Sequence, residues 1–294
     1  LALLNEWTTQ QYLDPAVQYP KYFSGNNLEH YRLKDDPYNF PFVDWWDELT
    51  LKNSLQSRTN FDISGGTQKT KYFVSLGYFN QGGMYKNFTQ DEGYNGNYNF
   101  DRYNFRSNVD IDPTKDLHIR FDLSGRFGVT NSPNDSPGNG GAPTLQYLWN
   151  GQLSAFGYPA FNENGSYGGS TSSATKINPI ANLRYSGYSR DYTNNLGFVT
   201  QVNQKLNFIT DGLSANALLS YASDYSFNRS LKRNSSEIPT YYWDPNTRSY
   251  LPVVNNLYRL GNLTRTGGYT GSNRVTNLQA SIKYDKTFGQ HDLN

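Results

Sequence analysis

The sequence has 294 residues, a mass of 33.5 kDa and a formal net charge of +1. The near-zero charge gives no general attraction to nucleic acid, and the absence of cysteine excludes disulfide frameworks, thiolate metal sites and thiol nucleophiles. Aromatic residues reach 16% beside 26 glycines and 13 prolines, a composition that favours many strands joined by turns over long helices. We therefore expect an all-β fold.

The chain opens on Leu1-Ala2-Leu3-Leu4, without an initiator Met, a basic region or a cleavage motif, so we expect it to be part of a longer protein. No stretch approaches the 18 consecutive apolar residues of a transmembrane helix. Residues 1–55 show no alternation of apolar and polar side chains, and we expect a loop-rich segment there.

Three carboxylates in that segment, Asp44, Asp47 and Glu48, have the residue types of a calcium or paired-carboxylate site. The simpler interpretation is a solvated loop with Trp45 and Trp46 anchored into the structure. We therefore predict no metal site.

Residues 56–294 are predicted to form seven or eight strands, because apolar and polar side chains alternate along them. The first hairpin runs through Phe61, turns near residues 66–69 and continues through Leu76. The clearest hairpin covers residues 100–112, a turn at 112–116 and residues 117–129. Tyr103, Phe105 and Val109 mark its apolar face.

The opposite, polar face of this hairpin carries six charged side chains. We expect them to line a barrel lumen, either as a cross-strand salt-bridge lattice or as residues that select the solute, and the lattice is the simpler interpretation. These residues are Arg102, Arg106, Asp110, Arg120, Asp122 and Arg126.

Further strands are predicted near residues 192–206, 213–221 and 278–284, with a last short turn at 286–290. Short turns thus alternate with long loops at roughly residues 80–99, 130–191 and 229–272. Alternating strands of about 10 residues, with short turns at one rim and long loops at the other, are typical of a transmembrane β-barrel. A soluble β-sandwich or barrel with ordinary core aromatics is the alternative.

Several phrases of the sequence resemble, in the same order, the SusC/RagA-type TonB-dependent transporters of Bacteroidetes outer membranes. The phrases are residues 44–48, 64–67, 71–78, 81–85, 102–108, 123–126, 178–180 and 284–289. The resemblance implies a 22-stranded barrel with a plugged lumen in the outer membrane, of which this sequence supplies one part. The family's plug, TonB box and closing strands have no counterpart here.

The same resemblance implies two protein partners: a SusD-like surface lipoprotein over the loops, and the TonB complex, reached through the N-terminal part of the family. The substrates it implies are oligosaccharides, or alternatively peptides. We therefore expect TonB-dependent import of oligosaccharides. The alternative is a soluble or surface-anchored glycan-binding or adhesin module without transport.

The long loops carry aromatic rings beside amides and carboxylates, which suits sugars with apolar faces and hydroxyl rims. We expect these rings to contact substrate or lid, and the alternative is that they only pack the loops together. They are Tyr147, Trp149, Phe156, Tyr158, Tyr241, Tyr242 and Trp243.

Nothing in the sequence points to an enzyme, a cofactor or a metal. The three histidines, at positions 30, 118 and 291, are far apart and have no ligand spacing. The Ser64-Gly65-Gly66-Thr67 phrase indicates a hairpin turn, and no nucleophile elbow or phosphate-binding loop is present.

Overall fold

The computed structural model describes residues 26–135, 144–171, 177–234, 237–253, 260–288 and 291–293. Four short helices lie outside the main sheet: α1 (Asn26–Leu33), α2 (Trp45–Leu49), α3 (Thr144–Trp149) and α4 (Pro179–Tyr185). Across these described ranges, no helix has both the length and the apolar character needed to cross a membrane.

Seven long strands form one antiparallel sheet in which each strand pairs with its neighbours in chain order. The strands run to between 11 and 21 residues, well beyond the 5 or 6 that soluble proteins usually use. They are β1 (Gln56–Gly66), β2 (Thr70–Gly82), β3 (Asn99–Thr114), β4 (Leu117–Pro133), β5 (Gly187–Lys205), β6 (Leu213–Lys232) and β9 (Thr264–Tyr284).

Two small hairpins complete the described strands. One lies in the connection from β6 to β9 and pairs β7 (Tyr241–Asp244) with β8 (Ser249–Pro252). The other pairs β10 (Lys286–Phe288) with β11 (His291–Leu293).

The turns at one end of the sheet are closed by local hydrogen bonds. At the β1–β2 turn, the Thr67 hydroxyl accepts from the backbone N–H groups of Lys69 and Thr70, each at 3.2 Å. At the β5–β6 turn, Gly212 adopts a φ of +88°, which glycine reaches without steric penalty. All the long connections leave from the opposite end, which we call the loop end.

Register separates the side chains of the sheet into two faces. Val109 lies opposite Phe121, whereas the adjacent pair, Asn108 and Asp122, points to the other side. We call these the apolar face and the polar face. Large side chains of the apolar face are open to the surroundings: Phe61, Ile63, Leu76, Tyr103, Phe121, Leu196, Leu219, Leu278 and Ile282.

Close packing on the apolar face explains a glycine in the middle of β4. The Phe105 ring lies where a side chain of Gly125 would begin, with a ring carbon 2.1 Å from the position of a Cβ. The ring then stacks on Phe127 at a centroid distance of 6.1 Å.

The buried hydrophobic core lies in the loops and not against the sheet. A cluster at the loop end, which we call the loop core, contains Trp45, Leu49, Tyr85, Leu148, Tyr158, Ile180 and Leu183. The sheet therefore leaves its apolar face uncovered while its loops pack into a core of their own.

Several boundaries differ from the sequence predictions. The long connections are residues 83–98, 134–186 and 233–263, because β5, β6 and β9 continue further toward the loop end than their apolar residues indicated. Residues 286–288, predicted as part of a turn, form β10. Residues 45–49 form a helix capped by Asp44, in which Trp45 is buried but Trp46 is 49% exposed, so only the first tryptophan is anchored.

Candidate functional site

The loop core joins segments that are distant in sequence. Trp45 of α2 packs against Tyr158 with ring centroids 5.6 Å apart, and its indole N–H donates to the Ser154 carbonyl at 3.1 Å. The backbone N–H of Val43 donates to the Ala155 carbonyl at 2.9 Å. The segment before β1 is thereby fixed to the β4–β5 connection.

Asn178 is a buried junction of the loop core. Its side-chain oxygen accepts from Ile180 N and Ala181 N and so caps α4, whose first residue is proline. Its side-chain amide donates to the carbonyls of Ala160 and Gly168 at 2.9 and 2.8 Å. One side chain therefore holds together three parts of the longest connection. The sequence signal for this role is an asparagine directly before a helix-starting proline.

Arg184, at the end of α4, ties this connection to the loop between β2 and β3. Its Nε donates to Glu92 Oε1 at 2.8 Å, and its carbonyl accepts from the Tyr94 hydroxyl at 2.7 Å. The hydrogen bond to Glu92 raises the pKa of Arg184, and burial raises the pKa of Tyr185 to about 12. Arg184 therefore stays charged and Tyr185 stays neutral in this cluster.

A buried carboxylate lies just beyond β4. Asp135 is 2% exposed and accepts from the backbone N–H of Thr144 at 2.9 Å, while Asn182 donates to its carbonyl at 2.6 Å. Burial raises the pKa of Asp135. The same effect, burial, raises the pKa of Tyr85 and Tyr98 nearby.

The structure divides the predicted loop aromatics into buried and accessible rings. Tyr158 is 3% exposed in the loop core, so its ring packs the loops together and does not face a ligand. Phe156 is half-buried between Tyr31 and Phe42, each at a centroid distance of 5.4 Å. Trp149 is 77% exposed, and Tyr147 is half-buried on the same helix.

Trp149 borders an open hollow of about 370 Å³. Tyr98, Leu145, Gln146 and Asn150 form the rest of its lining. The hollow thus combines two aromatic rings and two amides with no charged side chain. The sequence had not singled out Tyr98, because it lies at the end of a loop outside any pattern.

The remaining predicted rings belong to the β7–β8 hairpin. Tyr241 is docked through its backbone, which donates to the Tyr167 carbonyl and accepts from Gly169, both at 2.8 Å. Tyr242 is half-buried, and Trp243 is 44% exposed and packs on Tyr250 at 5.1 Å. This hairpin therefore presents Trp243 beside the loop core.

On the polar face of β3 and β4, charged and amide side chains are hydrogen-bonded to one another, and the Arg120–Asp122 ion pair lies within β4 rather than across the two strands. Arg106 donates to Asn108 at 3.0 Å, Asn108 donates to Asp122, and Arg120 donates to Asp122 at 2.8 Å. Asp110 lies opposite Arg120 in the register.

Two of the six charged residues that were predicted to line the lumen, both of them arginines, make contacts outside this network. Arg126 donates to the Asn195 amide at 2.9 Å. Arg102 lies over the Phe79 ring at 5.1 Å, and its buried Nε has no partner among the described residues. The network thus shows ordered polar pairs, whereas Arg102 is held by an aromatic ring.

In the part of the chain that the structure describes, no three His, Asp or Glu side chains are grouped as metal ligands would be. His30 pairs with Asp35, and His118 pairs with Asp112, each at 2.8 Å. The side chain of His291 lies outside the described residues.

No known family profile matches the chain. In sequence, it is 30% identical over 152 residues to TonB-dependent receptor P26 and 27% identical over 125 residues to TonB-dependent receptor P3, both from Formosa agariphila. The matches cover 51% and 42% of this chain. They cover 13% and 11% of the two relatives, so the chain spans a small part of their length.

In structure, the chain is similar to the RagAB peptide importer in two states. The closed-closed state gives a TM-score of 0.58 at 18% identity, and the open-open state gives 0.55 at 19%. Each likeness covers 99% of this chain and 30% of the other, which shows a shared fold.

The two comparisons agree with the resemblance carried by residues 71–78 and 102–108, with the antiparallel fold class and with the expected location in the outer membrane. The chain is therefore similar in sequence to part of two TonB-dependent receptors and shares its antiparallel fold with part of the RagAB transporter.

Proposed function

We propose that the whole protein imports oligosaccharides across the outer membrane by a TonB-dependent mechanism, and that this chain forms part of the barrel wall and its extracellular mouth. One observation carries the proposal: the long-stranded sheet exposes an apolar face, while the only extensive core among the described residues lies in the loops at one end. That arrangement suits a wall between lipid and lumen with a structured mouth.

The substrate class is inferred from the chemistry of the hollow beside Trp149. Sugars present apolar C–H faces that stack on aromatic rings and hydroxyls that pair with amides. Tyr98 and Trp149 supply rings, and Gln146 and Asn150 supply donors and acceptors. The absence of a charged lining residue in this hollow favours a neutral substrate.

A peptide is the second candidate substrate. The structural neighbours are RagAB peptide importers, whose fold matches nearly the whole chain. The charged network of Arg106, Arg120 and Asp122 on the polar face offers partners to both ends of a peptide.

The proposed protein partners are a SusD-like lipoprotein at the loop end and the TonB complex as the source of energy. Exposed Trp149 and Trp243 are the rings that such a lid or the substrate would cover. A soluble glycan-binding module is disfavoured, because the exposed apolar face exceeds what soluble proteins leave open to water.

Uptake of labelled oligosaccharides and labelled peptides by cells expressing the full-length transporter tests the proposal. We expect oligosaccharide uptake that disappears when TonB is deleted and weakens in Trp149→Ala. Phe208→Ala is the control, since that aromatic ring is 80% exposed at the opposite end of the sheet. TonB-dependent uptake of peptides and not of oligosaccharides would contradict the proposed substrate class. Uptake of oligosaccharides or peptides that continues without TonB would contradict the proposed mechanism.

A further inference from the structure

Two phenylalanine rings depart from the alternation of the sheet near the loop end. Phe79 of β2 pairs with Arg102 of β3, and Phe100 of β3 pairs with Gln81 of β2, so both rings lie on the polar face. The two ring centroids are 5.9 Å apart, in an edge-on arrangement. Because the lumen wall of a barrel is otherwise polar, an apolar patch on this face indicates a surface that contacts another molecule.

The loop core does not account for these rings. Neither Phe79 nor Phe100 is among the described residues that form the loop core or pack against it. The Phe100 ring lies instead along the wall of the sheet, where a Cβ at Gly128 would come within 3.5 Å of it. Both rings are half-buried, so each keeps part of its surface accessible.

Arg102 adds hydrogen-bond donors to the pair of rings. Its guanidinium lies over the Phe79 ring at 5.1 Å, and it forms no ion pair with a described carboxylate. Its Nε is buried without a partner among the described residues. Aromatic rings bordered by a few polar donors are the usual composition of a small-molecule site.

The two rings follow the hollow beside Trp149 along the same face of the sheet. The N–H of Gly83 donates to the Tyr98 carbonyl at 2.9 Å, which continues the pairing of β2 and β3 one step past the strands. Tyr98 therefore projects on the polar face, two residues and about 7 Å along the chain from Phe100. Since Tyr98 also lines the hollow, the hollow and the two phenylalanines lie in one file of aromatic rings.

We propose that Phe79, Phe100 and Arg102 form a second sugar-binding subsite, which takes one unit of an oligosaccharide that extends inward from the hollow beside Trp149. The two rings stack on the apolar C–H face of the sugar, and Arg102 donates to its hydroxyl oxygens. The inference rests on the proposed function, because it takes the polar face as the lumen side and an oligosaccharide as the solute.

Binding of the purified full-length transporter to a printed array of oligosaccharides, titrated to give an apparent affinity for each bound glycan, tests the subsite. Phe79→Leu/Phe100→Leu keeps apolar volume on the wall but removes both rings, so we expect the affinity to fall by about tenfold. Phe79→Tyr/Phe100→Tyr keeps the rings and is expected to bind like the wild type. Arg102→Met removes the donors but keeps an aliphatic stem, and is also expected to weaken binding by about tenfold.

The matched control is Phe61→Leu/Tyr103→Leu, which removes two exposed rings from the apolar face of β1 and β3. Wild-type affinity in Phe79→Leu/Phe100→Leu, or an equal loss in the control, would overturn the subsite. Wild-type affinity combined with faster passive entry of an unrelated dye into cells would show that the rings pack inside the lumen, and would also overturn it.

Failure of the proposed function gives a different result. A wild-type transporter that binds no glycan on the array would contradict the proposed substrate class and, with it, the subsite. A wild-type transporter that binds glycans as tightly as Phe79→Leu/Phe100→Leu would contradict the subsite alone.

Discussion

Val109 and Phe121 lie directly opposite each other on β3 and β4, while Asn108 and Asp122, one position along each strand, form the opposite pair on the other side of the sheet. A single-residue step thus separates an apolar pair from a polar pair. This alternation continues into β5, where Phe121 faces Thr200 and Leu123 faces Phe198. The two faces of the sheet therefore meet two different environments.

The first prediction concerns the stability of this face. Val109→Arg or Phe121→Arg in the full-length barrel is expected to lower the free energy of unfolding in lipid by roughly 2 to 4 kcal/mol near the bilayer midplane. Asn108→Ala, on the polar face, is expected to lower it less, because its hydrogen bond to Asp122 lies among other polar side chains such as Arg106 and Arg120. Reversible unfolding in lipid vesicles measures both, and a reversed order would exchange the two faces.

The second prediction concerns Asn178. Asn178→Ala removes the cap of α4 and the donors to Ala160 and Gly168, so we expect about 1 to 3 kcal/mol less local stability. Asn178→Asp keeps the capping oxygen but turns a carboxylate toward two carbonyls, and is expected to be no better. Hydrogen exchange in residues 179–185 measures the change, with exposed Asn207→Ala as control. Unchanged hydrogen exchange in both Asn178 variants would contradict the role of this side chain in holding the loop core together.

The third prediction is a pH dependence of the loop core. Because burial raises the folded-state pKa of Asp135 above its ordinary value, the carboxyl destabilises the loops at neutral pH and this effect fades as pH falls through that raised pKa. Asp135→Asn is therefore expected to slow hydrogen exchange in α3 at neutral pH, with the advantage disappearing in acid. Asp211→Asn, at an exposed turn, is the control. If the slowing of exchange by Asp135→Asn became larger as the pH falls, the predicted direction of the effect would be wrong.

The fourth prediction concerns the exposed rings. Trp149→Ala and Trp243→Ala are each expected to weaken substrate or lid binding by about 0.5 to 1.5 kcal/mol beyond the lost contact area, without lowering the amount of barrel in the membrane. Trp45→Ala is expected instead to destabilise the loop core by about 3 to 5 kcal/mol, because it leaves a cavity. If the double variant Trp149→Ala/Trp243→Ala binds and transports at the wild-type level, the two rings do not contact the substrate or the lid.

The strands could be predicted from the sequence because the polarity of each side chain indicates the face of the sheet on which it lies. Phe105 and Val109 are apolar and Asn104 and Asn108 polar, whatever lies elsewhere in the chain. The start of β9 was missed because Gly267, Gly268 and Gly271 interrupt that alternation, although the backbone there still pairs with β6.

The loop core was not predictable in the same way. Trp45 and Tyr158 meet across more than a hundred residues, and no periodicity marks which loop ring will be buried. Tyr158 and Trp149 are both aromatic residues of the same connection, yet one is buried and the other is exposed. Their difference depends on the packing of α2 and α4, which only the assembled loops determine.

The most direct test of the account uses the absence of cysteine from these 294 residues. Single cysteines are placed in turn at positions 119–124 of β4 in the full-length transporter, and each is spin-labelled in lipid vesicles. Collision of the label with oxygen measures its exposure to lipid, and collision with a nickel chelate measures its exposure to water. The account predicts strict alternation, with positions 119, 121 and 123 accessible to oxygen and positions 120, 122 and 124 accessible to the chelate. Equal accessibility at all six positions, or the reverse alternation, would contradict a membrane-spanning sheet with its apolar face toward lipid.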